Sequence, residues 1–396
     1  MTSAGRSVPV AKPLLDEREV EAARRVVMSG WVTQGPEVAA FEKEFAGFVG
    51  AGHACAVSNC TTALHLALKA LGVGPGDEVV TVSHTFIATA NAIRYCGAVP
   101  VFVDIEPDGY NVDPGLVASA VTNSTRAILC VHQLGMPCDL GRIMEIAAVH
   151  GLPVIEDAAC AIGSEISVDG TWQKIGAPRA DIACFSFHPR KVITTGDGGM
   201  LTTANPDFDH QFRLWRQHGM SISDTVRHGS QQVIYETYPE LGYNYRMTDL
   251  QAAIGREQLG RLPDIVAKRR WLAQQYDQHL GDIPGLKTPV EPEWARSNWQ
   301  SYCVKLPASV DQRGVMQALL DRGISTRRGI MNIHLEQAYA APGSFRRASS
   351  LDGSVAAQNG SIILPLYAQM TSDEQMSVVD ALHDVLGQRR AIAANA

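Results

Sequence analysis

Short apolar runs alternate with helix-period segments between about residues 54 and 204. Apolar runs of this length, bounded by glycine or polar residues, are typical of buried strands. Seven runs are predicted as strands: Ala54–Ser58, Glu78–Val82, Val99–Asp104, Ala127–Val131, Leu152–Glu156, Ile182–Phe187 and Gly199–Thr203. The alternation predicts an α/β fold in which a mostly parallel sheet carries helices on both faces. Ligands of such sheets bind at the carboxyl ends of the strands, so functional residues are expected at that edge.

The pattern of predicted helices and strands changes after Pro239. The elements predicted there are helices at Met247–Leu262 and Arg269–Leu280, a strand near Ser301–Leu306, a helix at Asp311–Gly323, and a last helix from the capping box Thr371/Glu374 to Leu386. These elements predict a smaller α+β domain at residues 256–396, after a large domain at residues 1–255. A helix near Asp16–Ser29 is expected to pack against the smaller domain or against a partner subunit.

Composition excludes several classes of protein. Hydrophobic residues make up 45% of the 396 residues, charged residues make up 19%, and the net charge is -7. Because the basic residues are scattered, no nucleic-acid or membrane partner is expected. No apolar stretch is long enough to span a bilayer, and the first 25 residues contain no apolar signal-peptide core. The eight cysteines form no CxxC pair. Reduced buried thiols in a cytoplasmic protein are therefore favoured over disulfides or a metal site.

Candidate chemistry begins with a lysine and an acid at strand ends. Lys191 follows the apolar strand that contains Cys184 and precedes a glycine-rich turn at Gly196–Gly199. A lysine beside a buried strand is partly desolvated, which favours its use as a nucleophile, whereas most lysines are solvated surface residues. Asp157 ends another apolar strand. It is a candidate partner for a ring nitrogen, with a plain helix N-cap as the alternative.

Two further groups complete the pattern. Residues 58–62, Ser-Asn-Cys-Thr-Thr, connect a strand to a helix, where exposed N–H groups and hydroxyls bind phosphate, although an ordinary N-cap has the same appearance. Ser186 offers another hydroxyl. Phe86 lies beyond a strand end and is a candidate for stacking on a ring, although most phenylalanines are core residues. A lysine, an acid, a phosphate site and a stacking group are what pyridoxal 5'-phosphate (PLP) requires from a protein.

Several long motifs then occur in order along nearly the whole chain. They are SGWVTQGPEVAAFE, SNCTTALHLAL, HTFIATANAI, IEDAACAIGS, SFHPRKVITTGDGG and LGYNYRMTDLQAAIG. In these motifs the chain resembles the DegT/DnrJ/EryC1/StrS aminotransferases, which mostly act on keto sugars linked to nucleotides. The resemblance implies a fold type I PLP-dependent transferase with a seven-stranded, mostly parallel sheet. It also implies a homodimer whose active sites lie at the subunit interface.

Residue roles follow from the resemblance position by position. Lys191 matches the lysine that attaches the cofactor, and Asp157 matches the partner of its ring nitrogen. The remaining matched positions are Phe86 over the ring, Cys60, Thr61 and Ser186 at the phosphate, Asn244 reaching the phosphate from the other subunit, and Cys160 near the cofactor's phenolic oxygen. Arg246 is a candidate substrate-binding residue, with a structural salt bridge as the alternative. His334 belongs to a segment, Arg327–His334, that is expected to contribute to acceptor selectivity.

Two departures from the family pattern bear on the cofactor site. Cys160 stands where the family commonly has glutamine, and a thiol is only a weak hydrogen-bond donor. Cys60 replaces the usual glycine, which leaves less room for a close backbone approach. Some relatives are dehydratases with histidine in place of the lysine, whereas this chain has Lys191.

The expected function is therefore transamination from glutamate or glutamine to a keto sugar, expected to be nucleotide-linked. An aminotransferase acting on a keto-cyclitol or another ketone and a catalytically silent PLP-binding sensor remain the alternatives.

Overall fold

The computed structural model describes residues 7–222 and 224–393. The helices are α1 (Glu17–Ser29), α2 (Pro36–Val49), α3 (Cys60–Ala70), α4 (Ala88–Tyr95), α5 (Pro114–Ala120), α6 (Leu140–His150), α7 (Pro206–Trp215), α8 (Asp224–Gly229), α9 (Asp249–Leu280), α10 (Gln312–Leu320), α11 (Asp352–Gly360) and α12 (Ser372–Ala393). The strands are β1 (His53–Val57), β2 (Glu78–Val82), β3 (Val99–Val103), β4 (Thr125–Val131), β5 (Val154–Asp157), β6 (Glu165–Val168), β7 (Thr171–Lys174), β8 (Ile182–Ser186), β9 (Gly199–Thr203), β10 (Ala295–Arg296), β11 (Tyr302–Lys305), β12 (Arg327–Arg328), β13 (Arg346–Arg347) and β14 (Ser361–Leu364).

The large sheet contains all seven predicted strands. Its order is β1-β9-β8-β5-β4-β2-β3-β13, and β9 runs antiparallel to both of its neighbours while the other pairs are parallel. The predicted mostly parallel α/β architecture is confirmed. The sheet has eight strands rather than seven, because the two-residue strand β13 is added beside β3. Arg346 in that strand forms an ion pair with Glu78 at 2.6 Å, which anchors this late segment to the sheet.

The strand directions bring the candidate residues to one edge of the sheet. The carboxyl ends of β2, β4, β5 and β8 lie together, and β1, which is antiparallel to β9, ends at the same edge. The start of α3 follows β1 there. Asp157 is the last residue of β5 and Ser186 is the last residue of β8. Asp157, the start of α3 and the segment that contains Lys191 therefore lie at the same edge of the sheet.

The longest helix corrects one prediction. Helix is predicted at Met247–Leu262 and again at Arg269–Leu280, with no helix assigned between them, and proline normally interrupts a helix. The structure instead has one helix, α9, that contains Pro263. Leu262, Ile265 and Val266 of α9 are buried in the core of the large sheet, and this packing stabilises the helix through the proline.

A second hydrophobic core contains Leu272 and Leu280 of α9 together with residues of β11, β14, α10 and α12. Helix α9 therefore contributes to both cores, and the predicted boundary at residues 255/256 falls inside it. Helix α1 is formed as predicted, capped by Asp16 and Glu19, and packs through Ala22 and Val26 against Ala253 of α9. No helix in the described ranges has the length and apolar character required to cross a membrane.

Candidate active site

Lys191 is held at the sheet edge by the turn that follows β8. Its backbone N–H donates to the carbonyl of His188 at 2.8 Å, and its Nζ donates to Cys160 Sγ at 3.1 Å. Burial lowers the pKa of Lys191, but the hydrogen bond to Cys160 and the charge of Asp157 favour the ammonium more strongly, so the pKa is raised. This differs from the expectation that desolvation dominates at this position. A raised pKa favours the ammonium form, whereas covalent attachment of a cofactor requires the neutral amine, so attachment is accompanied by loss of a proton.

Asp157 is buried, with only 5% of its surface exposed. Its Oδ2 accepts a hydrogen bond from Thr89 Oγ1 at 2.8 Å, and its Oδ1 accepts one from the Ala159 N–H at 3.2 Å. Burial raises the pKa of this carboxyl, and the two hydrogen bonds offset part of the shift. A carboxyl with increased proton affinity is a strong acceptor for the N–H of a ring cation.

Glu156 points to the other side of β5, as strand alternation requires. Its Oε2 accepts a hydrogen bond from His132 Nε2 at 2.9 Å, and both side chains are almost completely buried. His132 Nδ1 in turn accepts from the N–H of Cys138 at 3.1 Å, which places the ring proton on Nε2. The Glu156–His132 pair therefore supports the strand end on the face away from Asp157.

The start of α3 has the features of an anion site. Asn59 and Thr62 form a capping box, while Cys60 and Thr61 occupy the first two helical positions. Gly199 of β9 packs against this turn, and a Cβ at Gly199 would come within 2.8 Å of the Cys60 nitrogen and still closer to Asn59. Cys60 is buried, and burial, reinforced by the charge of Asp157, raises the pKa of its thiol well above the usual value. The helix accommodates Cys60 in place of glycine as a neutral, buried thiol.

Phe86 lies in the turn that leads into α4 and is 63% exposed. Its carbonyl accepts a hydrogen bond from the N–H of Thr89, the residue whose hydroxyl binds Asp157. The aromatic ring is therefore not a core residue, and it lies one helical turn from the partner of the acid. His334 is anchored to the same region, because its Nδ1 lies 2.7 Å from Ser83 Oγ.

Asn244 and Arg246 lie on an extended segment beside β1. The N–H of Ser58 donates to the Tyr245 carbonyl at 2.8 Å, so the backbone of this segment contacts the residue that precedes the α3 turn. The side chains of Tyr243 and Tyr245 are stacked on each other and pack against His65 of α3. Alternation along the segment directs Asn244 and Arg246 to the opposite side.

Arg246 has no hydrogen bond or ion pair from its side chain within the described ranges. The alternative of a structural salt bridge is therefore not observed. Asn244 is exposed.

Sequence reasoning missed two residues that hold the site together. Asn298, which is completely buried, donates from Nδ2 to the carbonyls of Cys160 and Ile162, both at 2.8 Å. Gln300 donates from Nε2 to the carbonyl of Arg190 at 2.8 Å. These side chains fix the backbones of the turn that contains Cys160 and the turn that contains Lys191. No local pattern marks them, because their partners lie more than 100 residues away in the sequence.

Comparison with known proteins agrees with this geometry. A family model described as the DegT/DnrJ/EryC1/StrS aminotransferase family matches residues 13–383. The chain belongs to this family. It is a PLP-dependent aminotransferase of fold type I, and the predicted fold, enzyme class and cofactor are confirmed.

Individual relatives match over almost their full length. The spore coat polysaccharide biosynthesis protein SpsC from Bacillus subtilis (strain 168) is 38% identical over 383 residues, which cover 96% of this chain and 97% of SpsC. The crystal structure of the aminotransferase TlmJ from Streptoalloteichus hindustanus is 34% identical with a TM-score of 0.88, covering 97% of this chain and 100% of TlmJ. The PLP form of Spr1654 from Streptococcus pneumoniae is 25% identical with a TM-score of 0.88, covering 97% of this chain and 99% of that one.

The residues of this DegT/DnrJ/EryC1/StrS aminotransferase fit PLP by their chemistry. An amine, a buried carboxyl and a helix start with free N–H groups lie at one edge of the sheet. Lys191 could hold the aldehyde carbon, Asp157 could hold the ring nitrogen, and Cys60, Thr61 and Ser186 could hold the phosphate. When bound, PLP supplies an electron sink for the carbon that gains or loses the amino group.

Proposed function

We propose that this enzyme transfers the amino group of glutamate or glutamine to a keto sugar attached to a nucleotide. The observation that carries the proposal is the guanidinium of Arg246, which lies on the same side of its segment as Asn244 and has no side-chain partner among the described residues. An arginine without a protein partner at the edge of a site suits a carboxylate or phosphate group. An amino acid donor carries the first group and a nucleotide-linked acceptor carries the second. The role of SpsC in polysaccharide biosynthesis also supports a sugar acceptor.

Lys191 performs the proton transfers in this proposal. With PLP bound, the free amine of Lys191 would take the proton from the donor's α carbon and deliver it to the cofactor carbon that receives the amino group, so that the donor leaves as a keto acid. Asp157 keeps the ring nitrogen protonated throughout. Arg246 orients the anionic end of each substrate, and the segment that contains His334 borders the acceptor. The same residues then serve the reverse steps on the keto acceptor. We place this enzyme in the cytoplasm, since its eight cysteines are free thiols.

A labelled-donor screen tests the proposal. Holoenzyme is incubated with glutamate or glutamine that contains ¹⁵N at the α-amino group, and with panels of nucleotide-linked keto sugars and keto-cyclitols. We expect mass spectrometry to find the label on a nucleotide-linked amino sugar and to find none with Lys191→Ala protein. Label on a cyclitol alone, or on no acceptor at all, would contradict the proposed substrate.

We further propose that the enzyme is a homodimer in which Asn244 completes the phosphate site of the other subunit. The side chain of Asn244 points away from its own α3, for the reason given above. The preceding segment also exposes large apolar side chains, including Val233 at 84%, Tyr235 at 87% and Leu241 at 81%. Exposed apolar groups that follow one another along a segment are typical of a protein interface. Coverage of this segment by a second subunit would bury them.

Mixed dimers test the shared site. Lys191→Ala protein is mixed with Asn244→Ala protein under conditions that exchange subunits, at a PLP concentration too low to load the Asn244→Ala protein. Losing one charge-assisted hydrogen bond to the phosphate should weaken PLP binding by about one to two orders of magnitude. If Asn244 serves the neighbour, both lesions fall in one site of the mixed dimer and the second site is intact. Activity should then reach about a quarter of wild type, because half of the dimers are mixed and one of their two sites works.

Pairing Lys191→Ala with Asp157→Asn is the matched control for this experiment. Both residues belong to the site of their own chain, so each mixed site carries one lesion and activity should not recover. Absence of recovery with Asn244→Ala as well, with exchange confirmed, would place Asn244 in its own chain's site.

A further inference from the structure

A cavity of about 480 Å³ lies beside the active site but shares none of its proposed residues. It is formed by the loops after β3 and β4 and by residues that follow α9. The residues that matter for its chemistry are Glu106, Tyr110, Gln133, Trp294 and Trp299. Its volume falls in the range of small-molecule sites, which is roughly 300–1,000 Å³.

One segment separates this cavity from Lys191. Asn298 and Gln300 point toward the active site and hold the Cys160 and Arg190 carbonyls. The residue between them, Trp299, lines the cavity instead. Trp299 and Leu134 both line the cavity, and both adopt left-handed backbone conformations, with φ of 51° and 59°. A ligand in the cavity would therefore lie on the far side of the wall that supports the cofactor lysine.

The polar groups of the cavity are mostly acceptors. Glu106, Asp108 and Asp113 supply three carboxyl groups, against one guanidinium, that of Arg142. Asp108 is paired with Lys287 at 3.4 Å, and Asp113 caps α5. Glu106, by contrast, makes no side-chain hydrogen bond or ion pair within the described ranges. Burial and the nearby Asp139 and Asp113 raise the pKa of Glu106 to about 7.

Gln133 adds a buried acceptor to the same wall. It is only 6% exposed, and its Nε2 donates to the carbonyl of His84. Its Oε1 receives no hydrogen bond from any residue that the structure describes. An amide oxygen at the cavity wall without a protein donor can accept a hydrogen bond from a ligand. Glu106 and Gln133 together select for a group rich in N–H or O–H donors.

The rest of the wall is aromatic. Trp294, Trp299 and Tyr110 line the cavity, and 6% of the surface of Trp299 is exposed. Aromatic rings pack against the apolar faces of other rings and are attracted to cations. We propose that this cavity is a second ligand site, which binds a protonated primary amine on a hydroxylated ring the size of a monosaccharide. The ammonium contacts Glu106 and Gln133, and the ring lies against the tryptophans.

Calorimetric titration of the holoenzyme with D-glucosamine tests this site, with D-glucose as the neutral probe of matched size. We expect saturable binding of D-glucosamine, little binding of D-glucose, and no change in the visible absorbance of the cofactor. Glu106→Gln should weaken the binding about tenfold or more, since a charge-assisted contact is lost. Glu145→Gln on the exposed face of α6 is the control and should bind as wild type does.

Trp294→Leu provides a second variant that leaves the carboxyl groups intact and should also weaken binding. Four results would overturn the proposal: no binding of D-glucosamine, equal binding of D-glucose, full affinity in both cavity variants, or an absorbance change that follows the heat. An absorbance change that follows the heat would place D-glucosamine at Lys191 instead of in the cavity. Because the cavity does not include Lys191 or Asp157, each of these results is independent of the transamination experiments.

Discussion

Replacing Asp157 with asparagine is expected to slow the half-reaction with glutamate by about 100-fold or more, the usual cost of removing one preorganised charge contact from an active site. The side chain would keep its size; its amide oxygen would still accept from the Ala159 N–H, and the Thr89 hydroxyl can rotate to accept from the amide N–H. It would lose the negative charge that holds a proton on the cofactor ring nitrogen. Rapid mixing of PLP-loaded protein with glutamate, followed by cofactor absorbance, measures the rate.

Glu156→Gln is the matched control for Asp157→Asn. Both residues are buried acids at the end of β5, one position apart. A glutamine at position 156 can still accept the proton on His132 Nε2, so the support of the strand end is retained. We expect this variant to react at close to the wild-type rate. Equal damage from the two changes would contradict the choice of Asp157 as the ring partner.

Lys191→Ala should reduce turnover by more than the Asp157 change does. Loss of the amine removes both the covalent attachment and the group that moves the proton, and a general acid–base group alone contributes about 10²–10⁴-fold. PLP should still bind, because the α3 turn and Ser186 do not depend on the lysine. Lys191→Arg is the control that keeps the positive charge near Cys160 without a nucleophilic amine.

Partial recovery of the Lys191→Ala reaction by an added small primary amine would show that the missing function is the amine itself. Wild-type rates in Lys191→Ala protein would exclude this residue from catalysis. Failure of the variant to bind PLP at all would contradict the independent role of the α3 turn.

The large sheet could be predicted from the sequence because its strands are almost wholly buried. Burial on both faces produces continuous apolar runs, and the predicted Glu78–Val82 and Gly199–Thr203 match the observed strands. The same logic located Asp157 and Lys191, since both follow from where an apolar run stops. The short strand β13 could not be predicted, because two arginines carry no strand pattern and their position depends on the ion pair with Glu78.

Tertiary packing accounts for the other differences. Pro263 would end an isolated helix, yet α9 continues because its residues on either side of the proline are buried in the core. The positions of Asn298 and Gln300 depend on a chain reversal that no local pattern encodes. The raised pKa of Lys191 likewise depends on Cys160 and Asp157, which lie on other turns. Contacts between distant segments determine these features, so no local sequence pattern predicts them.

Lys191 is expected to hold the cofactor of this aminotransferase. The most direct measurement is reduction of the PLP-loaded protein with borohydride, followed by digestion and mass spectrometry of the peptides. We expect a pyridoxyl group on Lys191 alone, and loss of that label when glutamate is added before the borohydride, because the donor displaces the lysine. A pyridoxyl group on any other lysine, or a label on Lys191 that glutamate does not reduce, would contradict it.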